Sequence, residues 1–247
     1  VSGVSPDLLP PTGTAQADLL TLEFAESPPA VAPVAGPRES PAPPHPVGPA
    51  LPGSAGEHRL QAAYGTAERA RRFYQDQVLD HLTERMVEFV GRMELAFIAT
   101  ADAAGECDSS LRAGPPGFIH VLDKRRVAYP EYRGNGVLAS LGNISENPNV
   151  GILMVDFTRD VIGLHVNGRA TVMADADLRA DHPGLPVEME KGRTPERWVL
   201  VEVREAYIHC RKHIPRMQPV GRSRPWGTDD ARGKGGDYFG AKSVPAG

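Results

Sequence analysis

Between Leu95 and Cys210 the apolar residues come in short runs separated by turn signals, and most successive runs have no helix between them. That constrains the fold more than any other feature, because parallel strands need a long crossover and antiparallel strands need only a turn. Leu95–Thr100 and Glu106–Arg112 flank the turn Asp102–Gly105, and Pro115-Pro116-Gly117 then breaks the chain. Phe118–Leu122 and Val127–Tyr129 flank Asp123–Arg126, and Asn149–Phe157 and Ile162–Met173 flank Thr158–Asp160. Arg197–Cys210 alternates, with Val199, Val201 and Val203 on one face and Glu202 and Arg204 on the other. About seven strands with one intervening helix predict a mainly β fold, an antiparallel barrel whose closure removes exposed edges.

The flanks differ in character. Residues 1–55 hold 13 of the 24 prolines and few large apolar side chains, which cannot repay the entropy of ordering, so this segment is expected to be a disordered tail. From Glu57 the pattern turns helical. Thr66 is placed to cap a helix over Ala67–Asp80, and Thr83 a second over Glu84–Val90 that stops at Gly91, both expected to cover one side of the sheet. The expected organisation is a tail over 1–55, a barrel domain over 56–213 and a C-terminal extension over 214–247. A net charge of −4 argues against nucleic-acid binding by bulk attraction to phosphate. The two cysteines, Cys107 and Cys210, are too few for a disulfide framework or an all-cysteine zinc site. With no apolar run of membrane-spanning length and no secretory-signal pattern, a cytoplasmic protein without membrane partners is expected.

Pro130-Glu-Tyr-Arg-Gly-Asn-Gly136 interrupts the strand pattern and leads into a helix over Val137–Asn147, ended by Pro148. A glycine-rich turn entering a helix suits an anion. The first turn leaves N–H groups unpaired, the dipole adds positive potential, and the Arg133 guanidinium can grip a phosphate through two bonds. Asn135 and Ser140 add neutral donors. Arg112, at a strand end beside Ser109 and Ser110, is a second basic element, and surface exposure is its ordinary fate. His209-Cys210 with His213 and Cys107 offers potential metal ligands, but neighbours on a strand point to opposite faces, so no metal is expected. His120 and His165 read as core or interface histidines. The basic residues Arg211-Lys212 and Arg222/Arg224 read as a solvated surface or as a clamp on an anion.

Taken in order, Ser110–Leu122, Ala128–Asn143, Glu146–Gly151 and Val166–Ala170 resemble the pyridoxamine 5′-phosphate oxidase-like family of flavoproteins over roughly Glu57 to Gly240. The resemblance implies a split β-barrel that forms a homodimer and holds FMN between subunits. It implies that Ser110 and Arg112 run beside the flavin ring and ribityl chain, with Tyr129 at the neighbouring strand end. It further implies that Arg133, Asn135 and Ser140 belong to the phosphate loop and that Trp226 approaches the flavin. The loop reads Arg133-Gly134-Asn135 where the biosynthetic oxidase has paired basic residues, and the C-terminal end lacks that enzyme's arginine-rich stretch. The expectation is therefore an FMN-dependent oxidoreductase acting on an unidentified small organic molecule, with the departures counting against vitamin B6 oxidation. The alternatives are a non-catalytic flavin, F420 or haem binder in the same cleft, and true pyridoxamine 5′-phosphate oxidation.

Overall fold

Alternating apolar residues that cover one face of a pleated strand must bury that face, and here they do so in one large core with a smaller cluster around Trp198. The structure, a computed structural model, describes residues 51–190, 192–220 and 236–243. Helices α1 (Ala55–Ala63), α2 (Ala67–Gln77) and α3 (Glu84–Val90) precede the strands β1 (Leu95–Ala101), β2 (Cys107–Ala113), β3 (His120–Asp123) and β4 (Arg126–Glu131). Next come α4 (Ala139–Glu146), β5 (Asn149–Asp156), β6 (Ile162–Ala174), α5 (Asp175–Asp181) and β7 (Arg197–His209). The proline-rich segment 1–50 and Trp226 lie outside the described residues.

The strands form one sheet in the order β2-β1-β5-β6-β7-β4-β3, antiparallel at every step. Although β2 and β3 are its edges, Ala96 and Ile98 of β1 share a core with Val127 and Tyr129 of β4. The sheet therefore curls on itself into a split barrel. The chain between β2 and β3 crosses the opening and buries Phe118 and Ile119, each such side chain contributing about 1.5–3 kcal/mol. The β1–β2 turn is organised by Asp102, whose carboxylate accepts from the Ala104 and Glu106 N–H groups at 2.9 and 2.8 Å. Pro130 lies beyond the end of β3, where β4 has only β7 beside it, which is where a strand tolerates a residue without an N–H.

The expected closing strand is present, with Val199, Val201 and Val203 buried. A bulge follows: Asn167 pairs Glu205 but Gly168 pairs Val203, so Arg204 is extra and Ala206 becomes the next buried residue. Thr83 caps α3 as expected, accepting from the Met86 N–H at 3.3 Å.

Other expectations are corrected. The Thr66 side chain makes no cap bond, and α2 ends at Gln77 because Leu79 leaves the helix to exchange two backbone bonds with Ala206 at 3.0 and 2.7 Å. Neither α1 nor α2 buries a residue, so they do not cover the sheet as α3 does; Phe73 of α2 meets Tyr207 edge-on, ring centres 6.0 Å apart. The helix after the glycine-rich turn starts at Ala139, not Val137. Leu138 takes the left-handed conformation (φ 57°) and is its N-cap. A second intervening helix, α5, was not expected. Its Leu178 packs with Ala128, Leu185 and Trp198, and the Trp198 indole N–H donates to Asp175 at 2.7 Å.

Candidate functional site at the opening of the barrel

On β2, Asp108, Ser110 and Arg112 share one face by the two-residue period of a strand. That face meets Ser140, one residue into α4 and only 4% exposed. The Ser140 hydroxyl donates to Asp108 Oδ2 at 2.8 Å and lies 3.0 Å from Ser110 Oγ. Since Ser140 has one hydroxyl hydrogen and gives it to Asp108, Ser110 donates to Ser140. Ser110 in turn accepts from Arg112 Nη1 at 2.9 Å. The row is thus directional, running from Arg112 through Ser110 and Ser140 to Asp108. Arg112 Nε also donates to Glu131 Oε1 of β4 at 2.8 Å. This ion pair joins β2 and β4 across the opening where no ladder of backbone bonds does.

Two phenols lie close by. Tyr129 is fully buried, its hydroxyl has no hydrogen-bond partner among the described residues, and burial pushes its pKa well above the usual range, with the Glu131 charge adding and Arg112 opposing. Tyr132 likewise has an unpartnered hydroxyl. Burial pushes it up to about 12, against the Arg193 charge and with Glu190 and Glu131 adding. The Arg193 guanidinium covers the Tyr132 ring at 4.3 Å, donates to the Ala113 carbonyl at 2.8 Å and to Glu190 at 3.2 Å. A residue from the α5–β7 connection therefore holds the end of β2.

Of the residues expected in the site, the structure brings Ser110, Arg112 and Ser140 into one row and puts Tyr129 in the core near its Arg112–Glu131 end. Arg133 and Asn135 sit on the exposed loop between β4 and α4, where the Asn135 side-chain oxygen accepts from the Val137 N–H at 3.0 Å. Asp108, Glu131, Tyr132 and Arg193 were missed. Asp108 was legible as the residue two before Ser110 on the same strand face, whereas nothing local marks Arg193.

A flavin phosphate needs converging donors and positive charge. The start of α4 fits. No side chain caps it, Arg133 stands on the exposed loop before it, and a Cβ built at Gly134 or Gly136 would meet nothing within 4 Å. The row itself is less cationic than expected: Arg112 contributes +1 and Asp108 and Glu131 together −2, leaving −1. Arg112 and Ser140 are both engaged by these carboxylates.

His120 and His165 stand outside this row. The His120 ring meets Trp198 edge-on at 5.6 Å with Nε2 buried and unpartnered, and burial, aided by Arg179, lowers its pKa. His165 Nε2 lies 2.9 Å from His209 Nδ1, and burial with the neighbouring imidazole lowers its pKa too. Among the described residues no group of three or more His, Cys, Asp or Glu is placed to hold a metal, and no helix is long and apolar enough to cross a membrane.

The family model described as pyridoxamine 5′-phosphate oxidase matches residues 82–210, just over half of the chain. The chain belongs to this family. Among solved structures it is similar to HupZ from Group A Streptococcus, with 20% identity over 51% of this chain and 93% of that one and a TM-score of 0.39. HutZ, the haem storage protein from Vibrio cholerae, is 15% identical over 51% and 94% of the two chains, TM-score 0.38. General Stress Protein 26 from Bacillus anthracis is 13% identical over 49% and 89%, TM-score 0.35. No curated protein matches the chain.

Proposed function

We propose that this protein is an FMN-dependent oxidoreductase that exchanges a hydride or electrons with a small organic molecule. The observation that carries the proposal is the uncapped start of α4 beside the row Arg112–Ser110–Ser140, at the opening of a barrel that belongs to this family. Arg133, the Gly134–Gly136 backbone and the first N–H groups of α4 would hold the phosphate. Ser110 and Arg112 would face the ring and ribityl chain, and the exposed Val137 and Leu138 offer apolar surface beside them. When bound, the flavin supplies the redox chemistry, so what remains for the protein is to bind and orient it and to exclude water. A second copy of the chain, with the segment around Trp226, would cover the cleft.

The carboxylates beside Arg112 give the protein a further role. A guanidinium already paired with Glu131 presents its remaining N–H groups in a fixed plane, so it positions a neutral acceptor better than it attracts a free anion. That favours a ring carbonyl at Arg112 and leaves phosphate to Arg133. It also fits a substrate other than a vitamin B6 phosphate, whose own dianion would meet Asp108 and Glu131.

The test is the absorption spectrum of protein purified without added cofactor, with any chromophore released by heat and identified by mass. FMN near one per chain supports the reading and justifies a substrate screen that includes pyridoxamine 5′-phosphate. Released F420 or haem would keep the fold and replace the cofactor. A colourless protein that also refuses FMN on titration would refute it.

A further inference from the structure

A cavity of about 740 Å³ lies between α3, the hairpin joining β5 to β6 and the end of β7. Its size is within the range of small-molecule sites, roughly 300–1,000 Å³. It shares no residue with the site at the barrel opening. Phe89, Met86, Leu164 and Ile208 give it an apolar floor, and four arginines, Arg85, Arg92, Arg159 and Arg211, line it. Among the described residues only two carboxylates, Glu88 and Asp160, do so.

Of the four arginines, Arg92 alone has carboxylate partners among the described residues. Arg92 pairs with Asp160 and lies 3.5 Å from Asp156, yet its Nε is buried without a partner. Among the described residues, the side chains of Arg85, Arg159 and Arg211 make no hydrogen bond or ion pair at all. Even with Asp156 included, the lining sums to +4 − 3 = +1, on a chain whose net charge is −4.

The hairpin that carries Arg159 is held in a strained form. Val161, a β-branched residue, adopts φ 51°, which such residues rarely do. The strain is sustained by the buried Asp156 carboxylate, which accepts from the N–H groups of Thr158, Arg159 and Asp160 at 2.9, 2.8 and 3.0 Å. Arg216 adds a bond to the Thr158 carbonyl at 2.9 Å. Backbone strain that is over-determined by its surroundings concentrates at ligand sites, and here it fixes the base of Arg159 beside the cavity.

The geometry points to a second binding site, for a small amphipathic anion: a phosphate or carboxylate head met by Arg159, Arg211 and Arg85, on an apolar or aromatic body seated against Phe89, Leu164 and Ile208. Guanidinium groups recognise such heads through paired N–H bonds, and the floor contributes apolar burial that an inorganic ion cannot use. The site is independent of the cofactor assigned above. It also accounts for the basic Arg211, which the barrel opening does not use.

Calorimetric titration of the full chain with phenyl phosphate, benzoate and inorganic phosphate tests this. Saturable binding of phenyl phosphate or benzoate is expected, with inorganic phosphate at least about tenfold weaker. The double variant Arg159→Ala/Arg211→Ala should weaken it by at least about tenfold, and Arg204→Ala, an exposed arginine outside the cavity lining, should leave it unchanged. The stronger of the two organic probes identifies the head group. Because the removed side chains make no bonds, the double variant should melt with the parent, and its thermal transition separates lost binding from lost fold. Binding unchanged in the double variant, binding weakened equally by Arg204→Ala, or no saturable binding of either organic probe would each overturn the proposal.

Discussion

Gly168 sits where β6 and β7 shift register, and a Cβ built there would lie 2.1 Å from the Glu202 carbonyl oxygen and 2.9 Å from Val201 Cγ1. Real Cβ contacts essentially never fall below 3.0 Å, so Gly168→Ala requires the Glu202 carbonyl to retreat by about 3.0 − 2.1 = 0.9 Å. That carbonyl belongs to the central β7 strand, which pairs with β4 on its other side, so the displacement reaches three strands. Overpacking of this kind costs about 1–3 kcal/mol, and a backbone obstacle puts the estimate at the upper end, about 3 kcal/mol. For a domain of this size that is a fall in Tm of about 6–12 °C. Gly142→Ala in α4 is the control, since its Cβ would meet nothing within 4 Å and a glycine inside a helix is destabilising by roughly 0.5–1 kcal/mol relative to alanine. Thermal and urea unfolding of both variants should give shifts of opposite sign. A Gly168→Ala protein that melts with the parent would refute the account of the bulge.

Burial alone would raise the Asp156 pKa, but the N–H bonds from Arg159, Asp160 and Thr158 outweigh it and hold it at about 2, against 3.8 unperturbed. A folded pKa below the unfolded one stabilises the protein fully above 3.8, and the gain is lost as pH falls through 2. The parent should therefore lose about 2 kcal/mol over that window beyond what Asp156→Asn loses, and equal slopes in acid urea titrations would contradict the assignment. Removing Arg112 strands the largely buried Glu131 carboxylate, so Arg112→Ala should cost about 2 kcal/mol and Arg112→Ala/Glu131→Ala less than the sum of the single changes. Additive effects in that cycle would show that the pair does not hold the opening. Arg133→Ala should weaken FMN by about 1.5–3 kcal/mol through lost charge-assisted bonds, read by quenching of flavin fluorescence; unchanged affinity would place the phosphate elsewhere.

The β-rich architecture was legible because its signals are local. Turn residues such as Asp102 and Gly105 and the alternation of Val199, Val201 and Val203 report on the strand that contains them. The end of α2 was not legible, since Leu79 leaves the helix for two bonds with Ala206, a residue far along the chain. The Val166–Ala170 segment, one of those that carry the family resemblance, also serves the packing of the sheet, because Gly168 has no room for a side chain against Glu202. At the candidate site the residue types were readable and their bonding was not. Arg112 reads as a surface arginine in the sequence, whereas in the fold Glu131 lies 2.8 Å away on β4, five places along the sheet order from β2.

By itself the sequence determined the number of strands, their antiparallel sense and which faces are apolar, because periodicity and turn chemistry act over a few residues. Only the tertiary structure decided how the sheet curls, that an ion pair bridges its opening, and that Arg85, Arg92, Arg159 and Arg211 line one cavity. Those outcomes depend on residues brought together from up to about 125 positions apart, where charge, burial and steric fit act through space and leave no mark on the spacing along the chain.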